Sequence, residues 1–329
     1  MNVAVVIVTW NGEQHVSACL KSLTAQTLPP RLVVVIDNSS TDQTLRIIAS
    51  YQAQLERDGM SLVITRNDHN RGFTCAANQG MQYAMSHPIK PAMVVLLNQD
   101  TAVYPTCLEA LRQVFLHHPD AGALGCKIFY PGSTTLQHAG GILTWPRLVG
   151  EHYGHHQSDA PEFNLEKEVD FVTGAAMALR ATALQQVGLF NEIFSPGYYE
   201  DVDLCLRLKA RGWRVLYTPH AVLEHAESAS FSDPVERLAL SARNRLLLAL
   251  AYMKNANFQH EFTIAELDFL RNHAHPTERR ALSIAYGRAM LMARRVSSHQ
   301  MLSSATAEKA IETFARLRRE CICLNSQAG

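Results

Sequence analysis

The first hundred residues of the chain alternate short apolar runs with segments whose apolar residues recur at helical spacing. A run that is apolar throughout predicts a strand buried on both faces, and such strands belong to parallel sheets covered by helices. The chain should therefore form an α/β fold with a mostly parallel central sheet flanked by helices. The apolar runs are Val3–Thr9, Leu32–Ile36, Leu62–Thr65 and Met93–Leu97.

Polar residues collect at the point where each of these runs ends. The carboxyl ends of parallel strands lie along one edge of a sheet, and ligands bind beyond that edge. The pattern therefore predicts a binding site there, although ordinary turns also favour Asn and Asp and stay open as an alternative. The clusters are Thr9-Trp10-Asn11, Asp37-Asn38, Arg66-Asn67-Asp68 and Asn98-Gln99-Asp100.

Composition places the chain among globular proteins. Of its 329 residues, 47% are hydrophobic and 18% are charged, and no run of eighteen apolar residues predicts a membrane span. The N-terminus resembles a buried strand and not a signal peptide. The seven cysteines are scattered without a C-x-x-C pair, which favours a reducing, cytoplasmic location.

Three carboxylates lie within four positions at Glu200, Asp201 and Asp203. Such close acids repel one another, and one of them is a candidate general base at the edge of a cleft. Glu200 and Asp203 should raise the pKa of Asp201 by like-charge repulsion. The alternative is an acidic first turn that favours the dipole of a following helix, predicted over Leu204–Arg211.

A divalent cation site is predicted from residues far apart in the sequence. Asn98 and Asp100 offer side-chain oxygens of the kind that hold Mg²⁺ or Mn²⁺ beside nucleotide phosphates. His225 follows an apparent strand over Val215–Tyr217 and could add a nitrogen ligand, although a lone histidine is often structural.

Nucleotide binding is predicted from the first half of the chain. Asp37 can accept a hydrogen bond from a base N–H, and Arg71-Gly72 before a helix suits a diphosphate. Neither the G-x-G-x-x-G pattern of dinucleotide-binding proteins nor a P-loop motif occurs, which disfavours both classes.

These segments, taken in order, resemble those of the bacterial family 2 glycosyltransferases, and most closely the rhamnosyltransferase-like branch that builds surface polysaccharides. The resemblance covers roughly residues 3–250. The segments are TWNG, VVVIDNSSTD, NRGFTCAANQG, LLNQDT, VTGAAMALR, FSPGYYEDVDLCLRL, GWRVLYTPHAVLEH and SARNRLLL.

The resemblance implies a Rossmann-like GT-A fold and an inverting transfer from a dTDP- or UDP-sugar to a saccharide or lipid-linked acceptor. Asn98 replaces the first acid of the family's D-x-D motif, which should weaken cation binding. By this resemblance, Thr9, Asn11 and Asp37 would contact the nucleoside, and Arg71, Gly72, Asn98 and Arg243 would contact the diphosphate sugar. Asp100 and His225 would bind the cation. Asp201 would act as the catalytic base, with Glu200 beside it. Asn244 forms a family pair with Arg243 that would meet the diphosphate or the acceptor.

The C-terminal part should form a separate helical region. We expect a GT-A domain over residues 1–236, with a nucleotide-sugar half at 1–120 and an acceptor half at 121–236, followed by helices over 237–329. From Arg237 onward the chain has 14 basic and 7 acidic residues. A helix over Glu278–Val296 with Arg280, Arg288, Arg294 and Arg295 largely on one side either packs on the core or docks on anionic lipid.

Two other functions stay open from the sequence. A nucleotidyltransferase shares the open sheet and acidic metal site, but it would usually carry a basic, Gly-rich loop after the first strand, which Trp10–Glu13 lacks. A non-catalytic nucleotide-sugar-binding protein would not need the Glu200-Asp201 pair. Nucleic acid is not an expected partner, because no set of stacking aromatics accompanies the basic C-terminal part.

Overall fold

The computed structural model describes residues 1–227, 233–296 and 304–326. The strands are β1 (Val3–Thr9), β2 (Leu32–Asp37), β3 (Ser61–Arg66), β4 (Met93–Asn98), β5 (Thr101–Val103), β6 (Ala121–Phe129), β7 (Leu136–His138), β8 (Gly141–Thr144), β9 (Val149–His152), β10 (Lys167–Glu168), β11 (Ala176–Arg180) and β12 (Arg214–His225). The helices are α1 (Val16–Thr24), α2 (Thr44–Ser50), α3 (Gln52–Arg57), α4 (Phe73–Ser86), α5 (Cys107–His117), α6 (Ala181–Val187), α7 (Glu200–Ala210), α8 (Pro234–Tyr252), α9 (Asn255–Asn257), α10 (Thr263–Asn272), α11 (Pro276–Val296) and α12 (Ser304–Ser326).

The central sheet has the strand order β10-β12-β6-β11-β4-β1-β2-β3, with β5 paired to β12 and β7 paired to β6. Strands β4, β1, β2 and β3 are parallel, as the apolar runs predict. Their register places Thr9 beside Asp37, and Asp37 beside Arg66. The polar strand ends therefore meet along one edge of the sheet.

Strands β1, β2 and β4 of the parallel half are buried on both faces, whereas the edge strand β3 is only partly buried, contrary to the prediction from its apolar run. Every residue of β1 and β2 is buried, which explains why these strands have no polar alternation. Helix α4 lies close to the sheet at Gly80, where a Cβ atom would overlap the side chain of Val6. A larger residue at this position would separate the helix from the strand.

The second half of the sheet is mixed. Strand β11 is antiparallel to β4 and β6, whereas β12 runs parallel to β6. The predicted strand over Val215–Tyr217 is too short, because β12 continues to His225 through a register shift between Tyr217 and Val222. Within the polar stretch 151–168, β9 ends at His152 and β10 occupies Lys167–Glu168. Helix α7 begins at Glu200, four residues before the predicted start.

The chain divides into two compact units. The first contains Met1–Ile142, Glu151–Pro196 and the described residues from Glu200 to 227. The second contains Leu143–Gly150, Gly197–Tyr199 and the described residues from 233 onward. Helix α8 thus begins the helical unit at Pro234, and two short inserts that the sequence analysis did not anticipate also belong to it. The predicted division at 236/237 stays a prediction.

A buried ion cluster organises the second unit. The carboxylate of Glu266 has no exposed surface and contacts Arg147 Nε at 2.7 Å and Arg245 Nη1 at 2.8 Å. The hydroxyl of Tyr286 donates to it as well. Burial acts to raise the pKa of Glu266, but the two guanidinium groups outweigh burial and lower it. The cluster therefore connects the Leu143–Gly150 insert to α8, α10 and α11.

Candidate functional site

The polar residues at the ends of β1 and β2 are bonded to one another. Asp37 has no exposed surface, and its Oδ1 accepts hydrogen bonds from Thr9 Oγ1 at 3.0 Å and Ser40 Oγ at 2.5 Å. Its Oδ2 accepts from the Ser40 N–H at 3.0 Å, and Arg66 Nε lies 3.9 Å away. Thr9 is equally buried, so its hydroxyl contacts Asp37 and not solvent. Direct contacts of these two residues with a nucleoside stay predictions.

Two side chains fix the loop that follows β1. Asn11 has a φ of 46°, its Oδ1 accepts from the Thr41 N–H at 2.9 Å, and its own N–H donates to Ser40 Oγ at 2.9 Å. Gln99 Oε1 accepts from the Trp10 N–H at 3.0 Å, and Gln99 Nε2 donates to the Trp10 carbonyl at 3.1 Å. The middle residue of the predicted metal motif therefore holds the neighbouring loop.

The turn before α4 places Arg71 and Gly72 beside Asn38 at the end of β2. The Arg71 N–H donates to Asn38 Oδ1 at 3.4 Å, and Asn38 Nδ2 donates to the Gly72 carbonyl at 3.2 Å. Gly72 has a φ of 79° and a ψ of 164°, a region that is essentially restricted to glycine. A Cβ atom there would lie 2.7 Å from the Cα of Pro196, so Gly72 permits the close approach of the chain just before Glu200.

The predicted cation ligands lie together at the ends of β4 and β12. His225 Nε2 is 3.1 Å from Asp100 Oδ1 and 3.3 Å from Asn98 Nδ2. Asp100 is 9% exposed and His225 is 7% exposed, so both side chains are largely withdrawn from water. Residues separated by more than a hundred positions thus form one polar cluster, as the sequence analysis expected.

Gln137 determines which nitrogen of His225 faces this cluster. Its Nε2 donates to Glu227 Oε2 at 3.4 Å, and a carboxylate can only accept. Gln137 Oε1 is therefore directed at His225 Nδ1, 2.7 Å away, and accepts its proton. In its neutral form His225 presents a lone pair at Nε2 to Asp100.

This donor set fits a divalent cation that also binds phosphate oxygens. A nitrogen lone pair and a carboxylate that face each other at 3.1 Å repel unless a positive charge lies near both. A 180° rotation of the Asn98 amide group exchanges its oxygen and its nitrogen, so Oδ1 would then face the cluster as a further oxygen ligand. Within the described residues, no group of three or more His, Cys, Asp and Glu side chains is arranged to hold a metal ion alone. A cation here would therefore need ligands from its substrate.

The candidate base lies in the first turn of α7. Asp201 Oδ2 accepts from the Gly174 N–H at 2.9 Å, and Oδ1 accepts from the Val202 N–H at 2.8 Å. Burial raises the pKa of Asp201 above its ordinary value, although both N–H groups act to lower it. Asp201 is nevertheless partly exposed, so a substrate hydroxyl could reach its remaining lone pairs.

Glu200 and Asp203 do not act on Asp201 as the sequence analysis expected. Burial, and not repulsion, is the chief cause of the raised pKa of Asp201. Asp203 forms an ion pair with Arg207 Nε at 2.8 Å, which offsets its charge. Glu200 is 4% exposed, and burial followed by repulsion from Asp201 and Asp203 raises its own pKa well above the ordinary value. In the described part of the chain, Glu200 Oε2 is buried without a hydrogen-bond partner.

Two consecutive residues before β11 connect the base to the cation cluster. The N–H of Gly174 donates to Asp201, and the carbonyl of Ala175 accepts from the N–H of Asn98 at 2.9 Å. The N–H that bonds Asp201 and the carbonyl that bonds Asn98 are therefore separated by the peptide unit between Gly174 and Ala175. The carboxylate of Asp201 and the backbone N–H of Asn98 thus contact neighbouring residues of the first unit.

Arg243 and Asn244 lie in the second unit, on α8. Arg243 Nε donates to Asn244 Oδ1 at 2.8 Å. Burial, with the nearby charge of Arg288, lowers the pKa of Arg243 to about 10. The predicted role of Arg243 in binding the nucleotide sugar stays a prediction.

Sequence reasoning missed three residues that shape the site: Ser40, Gln137 and Gly174. Ser40 and Gly174 act through hydrogen bonds that depend on the folded loops. Gln137 lies 88 positions from His225, and the one available signal was a polar pair, Gln137-His138, beside a Gly-rich turn.

Among the helices that the structure describes, none combines the length and the apolar character that a membrane span requires.

Comparison with known proteins agrees with this architecture. The family model described as "Glycosyltransferase like family 2" matches residues 1–247. The chain is 31% identical over 256 residues to the N-acetylglucosaminyl-diphospho-decaprenol L-rhamnosyltransferase of Mycobacterium tuberculosis, covering 71% of this chain and 80% of that protein. It is 26% identical to the uncharacterized protein y4gI of Sinorhizobium fredii over 79% of its own length, but spans only 28% of that longer protein.

The fold is shared with solved glycosyltransferases. The crystal structure of GalNAc-T7 with UDP, GalNAc and Mn²⁺ matches with a TM-score of 0.63 at 14% identity, over 91% of this chain and 58% of the other. The predicted α/β fold of GT-A type, with helices at the C-terminal end, is thereby confirmed. With a family model matching three quarters of its length and a relative above 30% identity, the chain belongs to the family 2 glycosyltransferases.

Proposed function

We propose that the protein transfers a sugar, rhamnose or a similar one, from a nucleotide-diphosphate sugar to an acceptor hydroxyl with inversion at the anomeric carbon. The observation that carries this proposal is the pair Gly174-Ala175: the Gly174 N–H donates to Asp201, and the Ala175 carbonyl accepts from the N–H of Asn98. A displacement at the anomeric carbon requires a base and a phosphate-binding cluster that are held near each other.

Asp201 acts as the general base. The acceptor oxygen forms a bond to the anomeric carbon while the bond from that carbon to the diphosphate oxygen breaks, and the acceptor proton passes to Asp201. The raised pKa of Asp201 makes it a better proton acceptor than an ordinary aspartate. Glu200 is buried next to Asp201, and its raised pKa favours its protonated form. A protonated carboxyl group cannot take up the acceptor proton, so Glu200 does not compete with Asp201.

Asp100, His225 and Asn98 would hold a divalent cation, Mg²⁺ or Mn²⁺, together with two phosphate oxygens of the donor. A bound cation offsets the negative charge that develops on the departing diphosphate. GalNAc-T7, which shares the fold, was crystallised with UDP and Mn²⁺. The residues of this chain supply two or three ligands, so donor and cation should bind cooperatively.

The strand-end residues would bind the donor, a dTDP- or UDP-sugar. Three of the four lone pairs of Asp37 are used by Thr9 and Ser40, which leaves one for a base N–H. Reaching it requires the Arg66 side chain, 57% exposed, to swing aside. Asn11 would line the base pocket through its backbone.

The diphosphate would lie near Arg71, whose side chain is exposed, and near Gly72 at the start of α4.

The acceptor would be a saccharide or a lipid-linked sugar. The relative from Mycobacterium tuberculosis is named for a lipid-linked N-acetylglucosaminyl acceptor. Peripheral contact of the basic C-terminal helices with the cytoplasmic face of the membrane would bring the enzyme to such an acceptor. Arg280 and Arg295 are exposed, whereas Arg288 and Arg294 are partly neutralised by Glu236 and Glu308. Flotation with anionic and neutral vesicles tests this contact; equal binding to both would contradict it.

The experiment that tests the function measures transfer and its stereochemistry together. Purified protein with UDP- or dTDP-sugar, Mn²⁺ and a saccharide acceptor should form a product whose anomeric configuration, read by proton NMR, is opposite to that of the donor. Retention would exclude direct displacement assisted by Asp201. The family match already favours a glycosyltransferase over a nucleotidyltransferase, and donor binding without transfer or hydrolysis would indicate a non-catalytic sensor.

A further inference from the structure

Two consecutive tyrosines just before the candidate base have left-handed backbone conformations. Tyr198 has a φ of 73° and Tyr199 a φ of 69°. Residues with a Cβ atom rarely adopt such values, and they persist only where the surrounding structure holds them. Glu200 and Asp201 follow directly, so any relaxation of this turn moves the start of α7.

Asn244 holds this turn. Its Nδ2 donates to the carbonyls of Gly197 at 2.9 Å and Tyr198 at 2.8 Å, and its side chain has no exposed surface. Carbonyl oxygens only accept, and Arg243 donates to Asn244 Oδ1, so the orientation of the amide is fixed from both sides. Both N–H donors of the Asn244 amide are thus used by the turn and are not available to a diphosphate.

The side chain of Tyr199 fixes the other end of the turn. Its hydroxyl accepts from the Gly150 N–H at 3.1 Å and donates to the Leu148 carbonyl at 3.3 Å. Gly197–Tyr199, Leu143–Gly150 and Asn244 all belong to the second unit, and the chain returns to the first unit at Glu200. The conformation of the residue before Glu200 is therefore set by the helical unit.

We propose that Asn244 is a positioning residue that maintains the left-handed turn at Gly197–Tyr199 and so sets the place of Asp201 at the start of α7. Arg243 supports it by orienting the amide. This inference rests on the proposed role of Asp201 as base. In this proposal the Arg243-Asn244 pair positions the base. The sequence analysis expected the pair to contact either the diphosphate or the acceptor.

The test compares Asn244→Ala with the wild type in transfer and in donor binding. We expect kcat to fall about 100-fold, as for a misplaced catalytic group, with the Kd for UDP and Mn²⁺ changed less than about twofold. Thr313→Val is the matched control. The Thr313 hydroxyl is also buried in the second unit, where it donates to Gln259 and to the Lys309 carbonyl, and the substitution removes it. Its kcat should stay at the wild-type value even if its Tm falls equally.

A rescue variant separates positioning from general destabilisation. Glycine adopts positive φ without strain, so Tyr198→Gly in the Asn244→Ala background should recover part of the lost kcat. If Asn244→Ala does not fold, Asn244→Asp, which keeps the shape of the side chain and the bond from Arg243 but cannot donate to the two carbonyls, is compared in its place.

Wild-type kcat in the Asn244 variant, an equal loss in Thr313→Val, or no recovery on adding Tyr198→Gly would each overturn the proposal. Asp201→Asn, measured in the same series, keeps the two proposals apart. An active Asp201→Asn enzyme would refute the proposed base itself. An inactive Asp201→Asn enzyme beside a fully active Asn244→Ala enzyme would refute only the positioning role.

Discussion

Replacing Gln137 by leucine should weaken cation binding without touching a cation ligand. The Gln137 carbonyl accepts from His225 Nδ1 at 2.7 Å in a buried setting. Leucine cannot accept this proton, so the imidazole loses the partner that keeps its Nε2 free of hydrogen. The other tautomer then becomes favourable, because an Nε2–H would donate to Asp100, 3.1 Å away.

The magnitude follows from the loss of that orientation. Partners that fix a metal-binding histidine contribute about 10- to 100-fold in metal affinity, which corresponds to about 1.4–2.8 kcal/mol. The bond is short and buried, and Gln137 is itself fixed by Glu227, so we expect the upper part of this range.

The assay is a titration of Mn²⁺ in the presence of saturating UDP, with free Mn²⁺ measured by electron paramagnetic resonance. Gln186→Leu is a suitable control, because its amide bonds the Trp213 indole at the surface and should leave Mn²⁺ affinity unchanged. A Gln137→Leu protein that binds Mn²⁺ within twofold of the wild type would refute the tautomer argument.

Three further outcomes are expected. Gly72→Ala should lower the free energy of unfolding in urea by about 1–3 kcal/mol, since its backbone conformation excludes a Cβ; an unchanged midpoint would contradict this. Glu266→Ala should cost about 3–5 kcal/mol because it leaves Arg245 buried and unpaired, whereas Glu320→Ala, which breaks a surface pair, should cost under about 1 kcal/mol. Glu200 has a raised pKa in the folded protein, so its protonated form favours folding and stability is lost as pH rises through that value. The Tm of Glu200→Gln relative to wild type should therefore increase from pH 4.5 to pH 8, and a constant difference would argue against the raised pKa.

The parallel half of the fold could be predicted because a strand that is buried on both faces is a continuous apolar run, which is visible in the sequence. A strand such as Val3–Thr9 is apolar up to its last residue, Thr9, whose polar side chain marks its end. Since parallel strands end on the same edge, the proximity of Thr9 to Asp37 followed without coordinates.

The second half was harder to predict for a physical reason. Strand β12 contains Pro219, which cannot donate to a neighbouring strand, and the ladder shifts register between Tyr217 and Val222. The apolar pattern stops at this interruption, so the predicted strand ended eight residues before His225. The start of α7 was placed four residues too late because the helix was assigned from the apolar and basic run after Asp203; the three carboxylates form its first turn, as the alternative in the sequence analysis allowed.

Contacts that orient the site residues left almost no trace in the sequence. The partner of His225 is Gln137 and that of Asp201 is Gly174, and both bonds depend on how distant loops meet after folding. Single-sequence patterns carry information about periodicity and local turns, whereas these hydrogen bonds join residues tens of positions apart.

The most direct test of the account is Asp201→Asn, assayed for transfer and for donor binding in the same preparation. Asparagine keeps the shape of the side chain and can still accept from the Gly174 N–H, but it cannot take up the acceptor's proton. We expect kcat to fall about 10²- to 10⁴-fold, with the affinity for UDP and Mn²⁺ within twofold of the wild type. Transfer at the wild-type rate would contradict it.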